Sequence, residues 1–232
     1  MGVNKVMSEY DKYKLMRKRL VDDLRRQGYI RSEKVYRAML AVPREEFVPE
    51  PYKDLAYEDR PLPIGHGQTI SAPSIVAYMI ELLDPVSGDK VLEVGAGSGY
   101  AAAVLAEIVA PSGLEDSKGH VYAVERIPEL ADFARRNLER TGYIDRVTVL
   151  VGDGSRGLPE YAPFDRILVS ASAPDIPEPL VKQLAVGGRM VIPVGSYWDQ
   201  YLVVVEKRRD GIRIRRDLEV LFVPLIGEFG WK

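Results

Sequence analysis

Apolar residues recur along this chain at two periods, near 3.6 and near 2, and the way the periods alternate predicts its elements. Tyr13, Met16, Leu20 and Leu24 fall at helical spacing among charges between Tyr10 and Gln27, and Gly28 follows as a stop. Ser32 suits an N-cap for a second helix through Val35, Met39 and Val42, closed by Pro43. Pro49, Pro51, Pro61 and Pro63 then mark an extended connector up to Ile64. A polar loop, Gly65 to Pro73, feeds a helix whose apolar face is Ile75, Val76, Met79, Ile80 and Leu83.

The next run, Val91 to Val94, reads as a buried strand that turns at Gly95 into a helix through Ala101, Ala102, Val104, Leu105, Ile108 and Val109. Past a polar loop from Ala110 to Gly119, the pattern predicts a strand over His120–Glu125, a helix over Pro128–Arg140 and a third strand over Val147–Val151. A fourth strand is expected over Phe164–Val169, a helix over Pro179–Leu184, a turn at Gly187-Gly188 and a fifth strand over Arg189–Val194. Tyr201–Lys207 and Gly211–Arg216, joined by Arg209-Asp210-Gly211, predict a hairpin; being antiparallel, it should close one edge of the sheet. Leu218–Leu225 is a last apolar stretch and Gly227–Lys232 a short tail. The class expected is α/β, with a mostly parallel, doubly wound sheet.

At 232 residues and 26.0 kDa, one such domain accounts for the chain. We divide it into a helical extension, residues 1–31, and a domain over residues 32–232. A formal charge of −2 gives none of the basic surplus that phosphate neutralisation favours, so nucleic acid is not the expected partner. No apolar run approaches the roughly 20 residues that span a bilayer, and the expectation is a cytoplasmic protein with no membrane partner. With no cysteine and only His66 and His120 as imidazoles, no metal site is expected. The scarcity of asparagine (Asn4, Asn137) and the 28% of charged residues fit a heat-adapted composition.

Candidate chemistry centres on Glu93-Val94-Gly95-Ala96-Gly97-Ser98-Gly99. Glycine lets the backbone take positive φ and approach a ligand closely, while the first free N–H groups of the helix face the same crevice. A dinucleotide turn carries GxGxxG; here the third glycine comes one residue early and an acid precedes the turn. Glu125, at the end of the second strand, suits ribose hydroxyls, and Asp153, at the end of the third, lies where open α/β sheets collect ligands. From the pattern alone Ser71 reads first as an N-cap, with Pro73 in the first turn, and His66 between two glycines as an exposed loop residue, and a role at a ligand stays open for both.

(Glu/Asp)xGxGxG resembles the first motif of S-adenosylmethionine-dependent methyltransferases. Together with Leu62-Pro63-Ile64-Gly65-His66-Gly67-Gln68-Thr69-Ile70-Ser71-Ala72-Pro73, the Glu125 strand, Gly152-Asp153-Gly154, the small residues before Pro174 and Val223-Pro224-Leu225, the chain closely resembles the protein-L-isoaspartate O-methyltransferase family from about Ser32 to Leu225. The resemblance implies a Rossmann-like class I methyltransferase fold with N-terminal helices and an antiparallel C-terminal hairpin. It implies S-adenosylmethionine as cofactor, S-adenosylhomocysteine as product, and isoaspartyl-containing proteins and peptides as substrates.

Carried over by residue, the resemblance puts Gly95, Gly97 and Gly99 along the methionine part of the cofactor, Glu125 at the ribose, and Asp153 and Gly154 at the adenine. Glu93, Ala96, Ser98 and Arg126 are expected among the cofactor-binding residues. Gln68, Thr69, Ile70 and Ser71 lie beside the methyl group, Ser71 being the family's active-site serine, with Thr69 as its helper in orienting the carboxylate. His66, Ile70, Ser71, Phe222 and Val223 are expected on the substrate side, and Gly65-His66-Gly67 is a candidate lid. Ser170-Ala171-Ser172-Ala173-Pro174 departs from a more alanine-rich family version, and the loop after Ala110 is longer than the family leads one to expect. The rival readings are a methyltransferase with an RNA or small-molecule acceptor and a binding protein that has lost its reaction. Against the first, the fourth strand lacks the Asn/Asp-Pro-Pro-Tyr-like clamp of amino-group methylases.

Overall fold

Along each central strand, successive side chains enter different cores. Val91, Val121 and Ala123 pack with residues from the first five helices, whereas Leu92, Val94 and Val124 pack with Phe164, Leu180 and Leu225 on the other face. Both faces are therefore covered, as a parallel sheet requires. The structure, a computed structural model, describes residues 8–114 and 118–232; residues 1–7 of the expected extension and 115–117 of the expected polar loop lie outside the described residues.

Helices α1 (Glu9–Arg26) and α2 (Glu33–Ala41) lead the chain, and α2 starts at the expected cap, Ser32 Oγ accepting from the Val35 N–H at 3.3 Å. The connector is less extended than the prolines suggest. It holds two short 3-10 helices, Arg44–Phe47 and Glu50–Leu55, because proline opens a helical turn as readily as it bars a long helix. The loop expected at Gly65 is a small hairpin, β1 (Leu62–Gly65) with β2 (Gln68–Ile70), whose tip holds His66 at φ 52° between Gly65 and Gly67, both also at positive φ. The two-residue tip forces those dihedrals, so polarity alone misled the expectation of a plain loop.

Next come α3 (Pro73–Leu83), β3 (Lys90–Val94), α4 (Tyr100–Val109), β4 (His120–Glu125), α5 (Pro128–Thr141), β5 (Val147–Val151), β6 (Phe164–Val169), α6 (Glu178–Gln183), β7 (Leu184–Gly195), β8 (Gln200–Arg208) and β9 (Gly211–Val220). Gly187-Gly188 lies inside β7 rather than before it, next to the register shift between Phe164 and Arg166 of β6. Glycine tolerates such irregularity within a strand. Among the described residues the main sheet has seven strands in the order β5-β4-β3-β6-β7-β8-β9, parallel from β5 to β7 and antiparallel through the hairpin β8–β9, which closes one edge as expected.

The order reverses at β3, which pairs with β4 on one side and β6 on the other. Loops leaving β3 and β6 diverge there and leave a crevice at the carboxyl ends of the strands, where ligands of open α/β sheets sit. Helix α1 joins the same core through Tyr13, Val21 and Leu24. Its Arg17 donates to Glu45 at 3.0 Å and to the Leu40 carbonyl, and the Tyr57 hydroxyl completes the buried cluster by donating to Glu45. No helix among the described residues is long and apolar enough to cross a membrane.

Candidate active site

The crevice is a cleft of about 1050 Å³ counting its open mouth. Its floor is the glycine turn. Gly95 and Gly97 take φ of 89° and 53°, and the turn is held to the sheet by N–H groups of Gly95 and Ala96 donating to the Val124 carbonyl. A Cβ on Gly97 would come within 3.3 Å of Ile64 Cδ1, so the bare backbone keeps the hairpin close. Gly99, expected along the cofactor, lies outside the lining; it opens α4 at φ 85°, where a Cβ would press on Ala134 and Leu138 of α5. The third glycine serves helix packing here.

Register decides the acids. Residues 91 and 93 of β3 share a face with 121, 123 and 125 of β4, so Glu93 and Glu125 both project to the helix side at the end of their strands. Glu125 Oε2 accepts from the Gly97 N–H at 3.0 Å and Oε1 from the Ile127 N–H at 3.0 Å, which ties the turn after β4 to the turn after β3. Glu93 is buried at 1% exposure and its Oε2 has no hydrogen-bond partner. Burial, with the Glu125 charge beside it, pushes its carboxyl well above the usual carboxylate range. A buried, unpaired oxygen facing a cleft invites a donor from a ligand.

Gln68, Thr69, Ile70 and Ser71 form the opposite wall, with Ile64, Val76 and Met79 beneath them. Ser71 is not a helix cap: α3 begins from Ala72 without a side-chain bond, and Asp59 of the connector accepts from the Ser74 N–H at 2.9 Å instead. The cap reading left open by the sequence is thus excluded, and the hydroxyl is not committed to the helix. Arg126, Gly154 and Val223 also line the cleft, as do Ala96 and Ser98.

Three other expected residues lie off it. Asp153 turns its carboxylate away, accepting from the Ser155 N–H at 2.9 Å and from the Glu228 N–H at 2.8 Å, so it anchors the C-terminal tail while Ile226 lines the cleft. Phe222 packs on the core, its N–H donating to Gln200 Oε1 at 2.7 Å. His66 stands exposed at the hairpin tip. The small residues after β6 have a packing reason: the Ser172 N–H donates to the Val223 carbonyl at 2.8 Å and the Leu225 N–H to the Ser172 carbonyl at 2.7 Å, with Ser172 and Ala173 fully covered.

Residues the sequence reading passed over also hold the site. Asn137 of α5 donates to the Ser98 carbonyl at 2.9 Å, and its signal was a polar residue on a face otherwise made of Leu130, Ala134 and Leu138. Arg44 donates to the Ser71 carbonyl at 2.8 Å, and nothing in its charged surroundings pointed inward. Among the described residues no cluster of His, Asp and Glu could hold a metal ion.

A doubly wound sheet with a glycine turn, two acids and an apolar-walled cleft at the switch point defines a Rossmann-like, S-adenosylmethionine-dependent methyltransferase. The family model for protein-L-isoaspartate(D-aspartate) O-methyltransferase matches residues 15–230, and the chain belongs to that family. A protein-L-isoaspartate O-methyltransferase of Hyperthermus butylicus is 66% identical over 218 residues, 93% of this chain and 90% of the relative, and one of Aeropyrum pernix is 60% identical over 97% of this chain and 85% of its own. Among solved structures, a Plasmodium falciparum chain described as a protein-L-isoaspartate O-methyltransferase, in complex with S-adenosyl-L-homocysteine, superposes with TM-score 0.79 at 32% identity, covering 90% of this chain and 98% of that one. Another protein-L-isoaspartate O-methyltransferase gives TM-score 0.81 at 33% identity over 92% of this chain and 67% of that one.

Proposed function

We propose that the chain methylates the free α-carboxylate of L-isoaspartyl residues in damaged proteins, with residues 32–232 carrying the reaction and α1 buttressing the connector. The ester formed closes to a succinimide as the backbone nitrogen displaces methanol, and water reopens the ring partly as normal aspartate, so the outcome is repair. The observation behind this reading is that one cleft is walled by Gly95–Ser98 with Glu93 and Glu125 on one side and by Gln68–Ser71 on the other.

The residues fit the cofactor. S-adenosylmethionine, when bound, supplies an electrophilic methyl carbon on a cationic sulfur. The partnerless Glu93 oxygen suits the ammonium of the methionine part, Glu125 keeps lone pairs free for ribose hydroxyls, and Ile127 and Ile226 offer apolar surface near Gly154 for the base. A cationic ligand beside Glu93 would favour the charged form of its carboxyl and offset the burial that raises its pKa.

The protein needs no strong base, because an α-carboxylate is already ionised at neutral pH. Its task is alignment and exclusion of water, and near-attack positioning can lower a barrier by about 7–11 kcal/mol. Ser71 and Thr69 are assigned to orienting the acceptor carboxylate, with Ser71 donating through its hydroxyl and not attacking. A carboxylate held too firmly would be stabilised in the ground state as well, so only interactions stronger in the transition state than in the ground state accelerate transfer. We place the protein in the cytoplasm, acting on polypeptide; a net charge of −2 supports a non-nucleic-acid acceptor.

Methyl transfer to an isoaspartyl peptide, its normal aspartyl twin and bulk tRNA tests the reading. Labelling of the isoaspartyl peptide alone is expected. Labelling of tRNA, or cofactor binding without turnover on any isoaspartyl peptide, would overturn it.

A further inference from the structure

Arg44 is a fully enclosed guanidinium, 1% exposed, in the connector that precedes the β1–β2 hairpin. Two of its nitrogens are used on main-chain carbonyls: Nε donates to Ala56 at 2.9 Å and Nη2 to Ser71 at 2.8 Å. Nη1 is buried without a partner. The group lies over the ring of Tyr100, 4.9 Å from its centroid; the Tyr100 hydroxyl donates to Met39 Sδ at 3.4 Å and keeps its oxygen as a neutral acceptor toward the guanidinium. Ser71 and Tyr100 both line the cleft, so Arg44 stands directly behind its wall.

No carboxylate forms a salt bridge with it among the described residues. Asp59 acts only from a distance, with Oδ1 committed to the Ser74 N–H, and Glu45, the neighbouring acid, is taken by Arg17 and Tyr57. An unpaired buried cation is costly, and burial accordingly pulls its pKa down. A fold that needed only to tie the connector to Ala56 and Ser71 could use a neutral donor.

We infer that Arg44 is a positioning residue for the methyl acceptor: through the Ser71 carbonyl it fixes the segment that receives the acceptor, and its unpaired charge draws the isoaspartyl carboxylate to that wall of the cleft. The inference rests on the proposed reaction. It places a cation on the acceptor side, opposite the acids Glu93 and Glu125 that face a cationic cofactor, so each reactant meets the charge it needs.

The test compares the full-length parent with R44K, R44Q and R44M for KM and kcat on the isoaspartyl peptide and for S-adenosylhomocysteine affinity by calorimetry. R44Q and R44M should raise the peptide KM at least tenfold while the S-adenosylhomocysteine Kd stays within threefold, and R44K should fall nearest the parent. An unchanged peptide KM in R44Q, or a Kd that weakens in step with KM, overturns the inference. Should the neutral variants fail to fold, R44K decides on the same readout: lysine keeps the charge but cannot hold Ala56 and Ser71 together, so its peptide KM should rise about threefold to tenfold, less than for a neutral variant, with cofactor-product affinity kept, and a parental KM counts against us. A parent that ignores the isoaspartyl peptide sinks the functional reading along with this one; an active parent beside an indifferent Arg44 sinks this one alone.

Discussion

Glu125 Oε2 accepts the Gly97 N–H at 3.0 Å, although the two residues lie on different strand ends and are 28 positions apart. The bond makes one carboxylate both a brace for the glycine turn and a candidate ribose ligand. Each oxygen accepts one main-chain N–H and retains capacity for another donor.

Replacing Glu125 by Ala should therefore cost cofactor affinity twice over, by losing ribose contacts and by loosening the turn. Hydrogen bonds to a charged group contribute about 1.5–3 kcal/mol, so the S-adenosylhomocysteine Kd should rise about 10-fold to 150-fold. Calorimetry checks this, and a parental Kd would remove Glu125 from the ribose.

Glu93 carries a pH signature. Its carboxyl ordinarily titrates near 4.5, but in the folded protein the pKa is raised well above that. Between the two values the folded state holds a proton that the unfolded state has released, so stability of the ligand-free protein should fall as pH rises from about 4.5 through the raised folded value. Glu93→Gln should flatten that slope and weaken S-adenosylhomocysteine binding. Melting temperatures of both proteins across pH 4 to 8 test it, and parallel curves would contradict the assignment.

Ser71→Ala should separate stability from turnover. The hydroxyl caps nothing, so we expect a stability change below about 0.5 kcal/mol. Loss of a bond to the acceptor carboxylate should lower kcat about tenfold or more, with S-adenosylhomocysteine affinity nearly parental. Equal kinetics for mutant and parent would defeat the role given to Ser71.

Asp153→Ala should act through the tail. Burial alone would raise the Asp153 pKa, but bonds from Ser155 and Glu228 hold it below the ordinary carboxylate value, a sign that they favour the charged form. Without them, the segment carrying Ile226 should detach. Limited proteolysis near the C-terminus should quicken and S-adenosylhomocysteine affinity fall severalfold; an unaltered cleavage pattern would show that the tail is held otherwise.

Much of this protein was legible in its sequence because the signals were local. Strand β3, the glycine turn and α4 follow from a short apolar run, residues able to take positive φ and a 3.6-residue period, all within twenty positions. Alternation within β3 and β4 even carries Glu93 and Glu125 to one face. What the sequence could not give is which distant groups meet. Arg44 and Ser71 are 27 positions apart, Asp59 and Ser74 15, and Asn137 and Ser98 39. An arginine in a charged stretch reads as solvated, and a serine before a helix reads as its cap. Only packing, by stripping water from Arg44 and letting Asp59 reach the first turn of α3, leaves one with an unpaired charge and the other with a free hydroxyl.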